Sequence, residues 1–203
     1  MSADLILALI GFTIVTSITP GPNNMMLLAS GVNFGFRRTI PHMLGIESGF
    51  VVMTALIGLG LGEVFTRVPV VYTALKYIGA GYMLYLAYKI ARSAPLTEHG
   101  GGQGQPMSFL QAAAFQWVNP KAWVMAVSAM STYAQSENYV SSVLLISLIF
   151  GLTGVPCMGV WAAFGVAMRR VLTNPRSVRV FNITMAVLLV ASLWPIALEV
   201  LAR

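Results

Sequence analysis

The sequence predicts an all-α integral membrane protein with six transmembrane helices, arranged as two inverted three-helix repeats in which helices 1 and 4 are broken. Three observations support this prediction. The composition is strongly apolar, six segments have the length of a membrane span, and polar, proline-containing interruptions occur at similar distances into the two halves of the chain. Together they indicate one membrane domain built from two halves.

The composition excludes a soluble globular domain. Hydrophobic residues make up 57% of the 203 residues and charged residues only 9%, whereas a typical soluble domain carries about 25% charged residues. So few charged residues could not cover the surface of a soluble protein of this length. The single cysteine, Cys157, also excludes an internal disulfide.

Six segments are apolar over about 20 residues, the length that an α-helix needs to cross a bilayer. They cover residues 4–32, 39–62, 69–90, 108–132, 139–167 and 178–201. The longest polar stretch separates the third segment from the fourth, and its glycine and glutamine content is typical of a flexible linker. The sequence therefore predicts a first three-helix repeat at 1–92, a cytoplasmic linker at 93–107 and a second three-helix repeat at 108–203.

The basic residues are concentrated in alternate loops. Eight of the twelve Lys and Arg residues follow the first, third and fifth spans: Arg37, Arg38, Lys89, Arg92, Arg169, Arg170, Arg176 and Arg179. By the positive-inside rule this side is cytoplasmic, which places both termini on the periplasmic or extracellular side. The net charge of +6 is therefore a topology signal that favours contact with anionic membrane lipids and predicts no nucleic-acid partner.

The two interruptions have related chemistry. The first contains Thr19, Pro20, Gly21, Pro22, Asn23 and Asn24, and the second contains Asn119, Pro120 and Lys121. Three spans in each half make the halves enter the membrane in opposite directions, and matched helix interruptions in such halves indicate a transporter binding site. Pro22 and Pro120 suit the first position of a half-helix, and Asn119 suits the N-cap. Gly21 allows backbone geometry that other residues resist.

A helix break leaves carbonyls of one half-helix and N–H groups of the next without helical partners. The N–H groups and the positive dipole end suit a carboxylate, while the carbonyls, with Asn23 and Asn24, suit an ammonium. The combination predicts a site for a zwitterion, that is, an amino acid, in a cavity lined by protein. Thr16 and Ser17, just before the first break, are further candidates for its lining. The alternative is that both prolines are plain helix kinks.

Three ionisable residues within the spans each allow two interpretations. Glu47 is a proton-coupling residue or a solvated residue near the cytoplasmic interface. Lys121 binds a substrate carboxylate or Glu47, or else extends to the interface. Lys76 lines the transport path, or extends to the outer surface. Gly45 and Gly49 form a GxxxG motif around Glu47, which predicts close helix packing.

The sequence contains no signature of an enzyme or of a cofactor site. There is no GxSxG nucleophile motif, and no glycine-rich phosphate loop is followed by Lys and Ser or Thr. His42 and His99 are far apart in the sequence and form no metal-binding pattern. We therefore expect no catalytic residue, no cofactor and no metal. The oligomeric state, monomer or homo-oligomer, stays open.

Four stretches together resemble the LysE/RhtB family of bacterial amino-acid exporters. They are PGPNN, FGFRR, LKYIGAGYMLYLAYKIAR and FQWVNPKAW, in that order, and the resemblance covers essentially the full chain. It implies a six-span inner-membrane exporter of amino acids or small derivatives, driven by the proton-motive force through proton antiport. Carried over by position, the resemblance points to Pro20, Gly21, Pro22, Asn23, Asn119, Pro120, Lys121 and Lys76.

The resemblance also points to a subgroup. The short central loop and the AAFQWVNPK context are closer to exporters of neutral amino acids, of the cysteine and O-acetylserine type, than to lysine exporters. Glu47 departs from the family pattern, since many relatives have a small or apolar residue there. The competing prediction is a membrane scaffold or assembly subunit without transport activity, in which the prolines only bend helices.

Overall fold

The computed structural model describes residues 1–61, 67–93, 105–194, 196 and 198, and the elements among them are helices. The eight α-helices of these residues, numbered in chain order, are α1 Ala3–Ile18, α2 Pro22–Phe34, α3 Phe36–Leu56, α4 Pro69–Ala91, α5 Phe109–Phe115, α6 Pro120–Tyr133, α7 Tyr139–Met168 and α8 Pro175–Ala191. A π-helical turn, Ile57–Leu61, follows α3, and a 3-10 turn, Gln116–Val118, follows α5. The all-α prediction is confirmed.

Parts of the predicted organisation lie outside the described residues. Most of the linker predicted at 93–107, including His99, is among them. So are the last residue of the second predicted span and most of the sixth predicted span after residue 194.

Local capping signals set where several helices begin. Ser108 and Gln111 form a capping box at α5: Ser108 Oγ accepts from the Gln111 N–H at 3.3 Å, and Gln111 Oε1 accepts from the Ser108 N–H at 3.1 Å. At α8, Asn174 Oδ1 accepts from the Ser177 N–H at 2.8 Å, with Pro175 in the first helical position. These side chains satisfy N–H groups that a helix start leaves unpaired.

Among the described residues, length and composition alone identify two membrane spans, or three if one bent pair of helices counts as a span. Phe36–Leu61 and Tyr139–Met168 are each long and apolar enough to cross a bilayer, and α1 with α2, bent by 56°, makes a third if the pair is one span. On α7, Leu144, Leu148 and Leu152 are all more than half exposed. Their spacing of four residues forms an apolar stripe along one helix face, as contact with lipid requires.

The connection between α2 and α3 is a single residue, Gly35. Its φ of +82° is a conformation that side chains with a Cβ rarely adopt. Arg37 and Arg38, which the sequence analysis placed in a loop, therefore lie in the first turn of α3. Hydropathy ends a predicted span at charged residues, whereas a helix needs only continuous backbone hydrogen bonds and continues past them.

The ends of α2, α4 and α7 meet at one end of the molecule, which we call the basic end. Asn33 and Asn182 exchange side-chain hydrogen bonds of 2.8 and 3.0 Å, and Asn182 Nδ2 also donates to the Ser93 carbonyl at 2.7 Å. A Cβ placed on Gly35 would lie 3.4 Å from Arg169 Nη1. The basic residues that follow the first, third and fifth predicted spans are thus gathered on one side.

Glycines bring the helices around the breaks into backbone contact. A Cβ on Gly45 would collide with the backbone of Phe109, and one on Gly49 with the backbone of Ala113. The packing role predicted for the GxxxG motif is thus confirmed, with α5 as the partner of α3. This contact fixes α3, and the carboxyl group of Glu47 on it, relative to the second break.

Candidate functional site

Both helix breaks line one cavity, which we call the break cavity. The first break is the segment between α1 and α2, and the second is Asn119, between the 3-10 turn and α6. The lining residues come from both breaks and from α3 and α7: Thr16, Ser17, Gly21, Asn23, Asn24, Ile46, Glu47, Phe50, Asn119, Lys121, Ala122, Met125, Gly154 and Met158. Residues from the two halves of the sequence therefore share one cavity, whose lining is both polar and apolar.

The first break combines an extended segment with a proline helix start. Pro22 takes the first position of α2, as the sequence predicts, with Gly21 as the N-cap. Gly21 has φ −173° and ψ 177°, an extended conformation open to any residue, so the expectation of unusual backbone geometry there is wrong. Glycine here leaves room for Lys121, because a Cβ would lie 2.6 Å from Lys121 Cδ and the lysine side chain would have to shift.

The carbonyls at the end of α1 are bonded within the protein. Asn24 Nδ2 donates to the carbonyls of Ser17 and Thr19, both at 2.8 Å. Trp161 of α7 donates from Nε1 to the Ile18 carbonyl at 3.0 Å. In an apolar environment an unpaired carbonyl is costly, so these contacts make the break compatible with a membrane interior.

Lys121 joins the second break to the first. Its ammonium donates to the Thr19 carbonyl at 2.6 Å and to Thr19 Oγ1 at 2.9 Å, with a longer contact of 3.4 Å to the Pro20 carbonyl. The carbonyls that the sequence analysis assigned to a substrate ammonium are thus occupied by a cation of the protein itself. Lys121 is half-buried beside the cavity rather than extended to a membrane surface.

The second break is satisfied locally. Pro120 begins α6, and Asn119 Oδ1 accepts from the Lys121 N–H at 3.2 Å, as the sequence predicts for an N-cap. Trp123 donates from Nε1 to the Trp117 carbonyl at 2.9 Å. Both contacts stay within six residues of sequence, so these backbone groups are satisfied by local partners.

An amide pair also joins the two breaks. Asn23 Nδ2 donates to Gln116 Oε1 at 2.8 Å, and Gln116 Nε2 donates back to Asn23 Oδ1 at 3.2 Å. Gln116 is fully buried and also donates to the Ala112 carbonyl at 2.9 Å. The pair sets the separation of the two half-helix starts at the cavity.

Glu47 lies in the middle of α3 and is 7% exposed. It lines the break cavity, and a Cβ on Gly154 of α7 would overlap its carboxyl group. Among the described residues, its Oε1 has no hydrogen-bond partner. The structure therefore supports the buried alternative for Glu47 and leaves a carboxyl oxygen available in the cavity.

A cluster of aromatic side chains packs around Phe50, which lines the break cavity. Phe50 and Phe150 pack edge to face with ring centroids 5.0 Å apart. Phe12 packs on Phe150 at 6.3 Å and on Tyr133 at 5.6 Å. Ring pairs at these distances add to the packing energy of the helices that carry them.

The chain matches the family model described as LysE type translocator over residues 14–193. The chain belongs to the LysE family. Cysteine/O-acetylserine efflux proteins of Escherichia coli (strain K12), Escherichia coli O9:H4 (strain HS) and Shigella sonnei (strain Ss046) are each 33% identical to it over 195 residues, which cover 94% of this chain and 96% of theirs. No solved structure matches significantly. The protein is thus a multi-pass inner-membrane translocator and not an enzyme.

The structure sorts the site residues predicted for this LysE translocator into three groups. Those that line the break cavity are Gly21, Asn23, Asn24, Asn119, Lys121 and Glu47, along with the candidates Thr16 and Ser17. Thr19 and Pro20 contribute oxygens to the Lys121 ammonium instead of lining the cavity, and Pro22 and Pro120 begin the half-helices.

Lys76 is the one predicted pathway residue that the structure does not bring to the cavity. It lies in α4, half-buried, with its ammonium 6.0 Å from the centroid of the Tyr77 ring. It is absent from the lining of the break cavity. The helix that carries it packs mainly on α8, which explains the separation.

Two contributors to the site were missed at the level of sequence. Gln116 offered a signal, since it is an amide within an apolar segment and directly precedes the second break. Trp161 offered none, because a tryptophan in an apolar helix is typical of packing or of a membrane interface. Only the folded chain shows that its indole N–H reaches the Ile18 carbonyl.

Proposed function

We propose that this LysE translocator exports a small zwitterionic amino acid, or a derivative of one, in exchange for protons. The observation that carries the proposal is the break cavity, which combines two half-helix N-termini and the Lys121 ammonium with the available carboxyl of Glu47. Because the related proteins are cysteine/O-acetylserine efflux proteins, cysteine and O-acetylserine are the first substrates to test.

The substrate carboxylate binds at the half-helix starts. The first N–H groups of α2 and α6 have no helical acceptor, and the positive ends of both helix dipoles lie at the cavity. Lys121 adds a full positive charge beside them. These groups favour an anion, and the amides of Asn23 and Asn119 add polar contacts around it.

The substrate ammonium binds Glu47, which also carries the proton in the proposed cycle. One carboxylate binds either an ammonium or a proton, so the two occupants exclude each other. Proton uptake from the periplasm releases the amino acid, and proton loss to the cytoplasm prepares the carboxylate for the next substrate. The titratable groups around it are Lys121 on α6, which shares the cavity, and Cys157 on α7, which interacts electrostatically with the carboxyl.

The proposed topology has six spans in two inverted repeats, 1–92 and 108–203, joined by a cytoplasmic linker at 93–107. Two features support it: Pro22 and Pro120 both begin half-helices at the shared cavity, and the first, third and fifth connections lie together at the basic end. With this end cytoplasmic, both termini are periplasmic and the aromatic cluster closes the periplasmic side. Alternating access then requires that cluster to separate while the basic end closes.

Transport by the purified protein tests the proposal. Proteoliposomes are loaded with labelled cysteine, O-acetylserine, threonine or lysine, and flux is followed with and without a pH gradient. We expect flux of a neutral amino acid by the wild type and a loss of about tenfold or more in Asn23→Ala and Asn119→Ala, which remove polar contacts in a buried site. Wild-type flux in both variants would remove the site assignment, and absence of any flux would favour the scaffold class.

Replacing Glu47 by glutamine tests the coupling. Gln keeps the size of the side chain but can neither exchange a proton nor pair with an ammonium, so pH-driven export should fall about 100-fold, as expected for loss of a charge-assisted contact. The residual flux should no longer respond to the pH gradient. Glu137→Gln, in the exposed turn before α7, is the matched control and should export like the wild type. A pH response that persists in Glu47→Gln contradicts the coupling role.

A further inference from the structure

A second cavity lies near the basic end between α2, α3, α4 and the segment that precedes α5. We call it the His42 cavity. Its polar lining comprises Ser30, Asn33, His42, Lys89, Ser93 and Gln105, and the rest is apolar. It shares no lining residue with the break cavity, so the proposed substrate site does not account for it.

His42 is the unexplained group in this cavity. The side chain is 2% exposed, and neither ring nitrogen has a hydrogen-bond partner among the described residues. A neutral imidazole has one N–H donor and one acceptor nitrogen, and buried polar groups are almost always paired. The imidazole is therefore available to a ligand.

The polar neighbours of His42 are already paired with each other. The hydroxyls of Ser30 and Thr39 lie 2.8 Å apart, and the Asn33 amide bonds the Ala29 carbonyl and Asn182. These bonds hold the cavity wall in place without using the imidazole. The arrangement is that of a rigid polar pocket with one side chain left for an incoming molecule.

The charge of the His42 cavity favours a carboxylate. Among the described residues that line it, Lys89 is the only charged one and none is acidic. Its apolar lining, which includes Met26, Leu86 and Met107, suits a short aliphatic side chain. A small amino acid offers both a carboxylate for Lys89 and the imidazole N–H, and a donor for the second ring nitrogen.

The position of the cavity places it on a route from the basic end to the breaks. His42 and Glu47 lie on the same helix, about 7.5 Å apart along its axis at 1.5 Å per residue. The two cavities are lined by successive parts of α2 and α3. Met26 lines the His42 cavity and Ile46 lines the break cavity, and both belong to the same hydrophobic cluster.

We propose that the His42 cavity is a second amino-acid site, in which the exported molecule binds on entry before it moves to the break cavity. The carboxylate binds Lys89 and His42, and the apolar wall contacts the side chain. The inference rests on the proposed function, because it assigns an entry step to the same transport path.

Equilibrium binding to the purified, full-length protein in nanodiscs tests this site, with radiolabelled O-acetylserine and reduced cysteine as probes. We expect the wild type to show two binding events and His42→Leu only one, with an export KM raised about tenfold and little change in kcat. His42→Gln, which keeps a donor and an acceptor, should retain both events. Thr54→Val is the matched control, because Thr54 is also buried and unpartnered on α3 but lines neither cavity.

If His42→Leu does not accumulate as a monodisperse protein, Lys89→Met provides a second variant. It should weaken the same binding event, the one assigned to the His42 cavity. Two unchanged binding events and an unchanged KM in both variants overturn the entry site. So does a wild type with a single binding event that Asn23→Ala abolishes, a result that leaves the proposed function intact. A wild type that neither binds nor exports the probes removes both proposals together.

Discussion

The two helix breaks have similar sequences but differ in how their free backbone groups are satisfied. At the second break the partners are local, with Asn119 and Trp123 bonding groups no more than six residues away. At the first break, the Thr19 carbonyl accepts from Lys121 on α6 and the Ile18 carbonyl from Trp161 on α7, both more than a hundred residues distant. The carbonyls of the first break thus depend on other helices as well as on the local Asn24 amide, whereas the backbone groups bonded at the second break have local partners.

This difference predicts which break can change shape during transport. Local hydrogen bonds move with the chain and survive a rearrangement of helices, whereas bonds between helices are lost when those helices separate. We therefore expect the first break to alter its bend between the two access states while the second remains constant. Three predictions test this contrast, from the largest expected effect to the smallest.

Lys121→Met should have the largest effect on export. It removes the ammonium that bonds Thr19 and Pro20 across the two breaks and also removes a positive charge from the cavity, so export should fall about 100-fold or more. Flux from proteoliposomes at matched protein density measures it. Lys76→Met is the control, because Lys76 is also a half-buried lysine but lies away from the cavity. Equal losses in both variants would contradict the special position of Lys121.

Asn24→Ala and Asn119→Ala should lower the free energy of unfolding by different amounts. Asn24 bonds two carbonyls of the preceding half-helix, so its loss should cost about 2 kcal/mol, while loss of the Asn119 cap should cost about 1 kcal/mol. Thermal or denaturant unfolding in detergent gives both values. An equal or larger cost at Asn119 would reverse the contrast drawn between the breaks.

Trp161→Phe and Trp123→Phe should have the smallest effects on stability, and they should differ in amide hydrogen exchange. Each removes one indole N–H bond to a break carbonyl, worth about 1 kcal/mol. Trp161→Phe should also increase amide hydrogen exchange at the end of α1, because the bond that ties it to α7 is gone. Trp123→Phe should leave that exchange unchanged. Faster exchange at α1 in both variants, or in neither, counts against the proposed difference.

Much of the fold follows from short-range chemistry that the sequence displays. Pro22, Asn119 and Pro120 predict the two half-helix starts because proline lacks an N–H and asparagine caps one. Apolar length predicts the helical class, and the GxxxG motif predicts the close contact of α3. The six-span inverted repeat, the domain boundaries and the orientation of the termini remain predictions.

The cavity itself depends on contacts that no local pattern specifies. Nothing near Trp161 in the sequence indicates that it bonds the end of α1, and nothing near Gly154 indicates that it makes room for Glu47. Gly21 was expected for its backbone freedom, yet the folded chain uses its small size beside Lys121. Long-range packing decides such roles, so they appear only once the helices are assembled.

The Lys121 ammonium has a consequence for inorganic cations. Oxygen atoms grouped at a helix end resemble the sites by which transporters hold sodium, and an empty cluster of this kind would attract any inorganic cation that entered. Here the Thr19 and Pro20 oxygens already surround a cation tethered to the chain. The same three oxygens are therefore not free to coordinate a sodium or potassium ion while Lys121 holds this position.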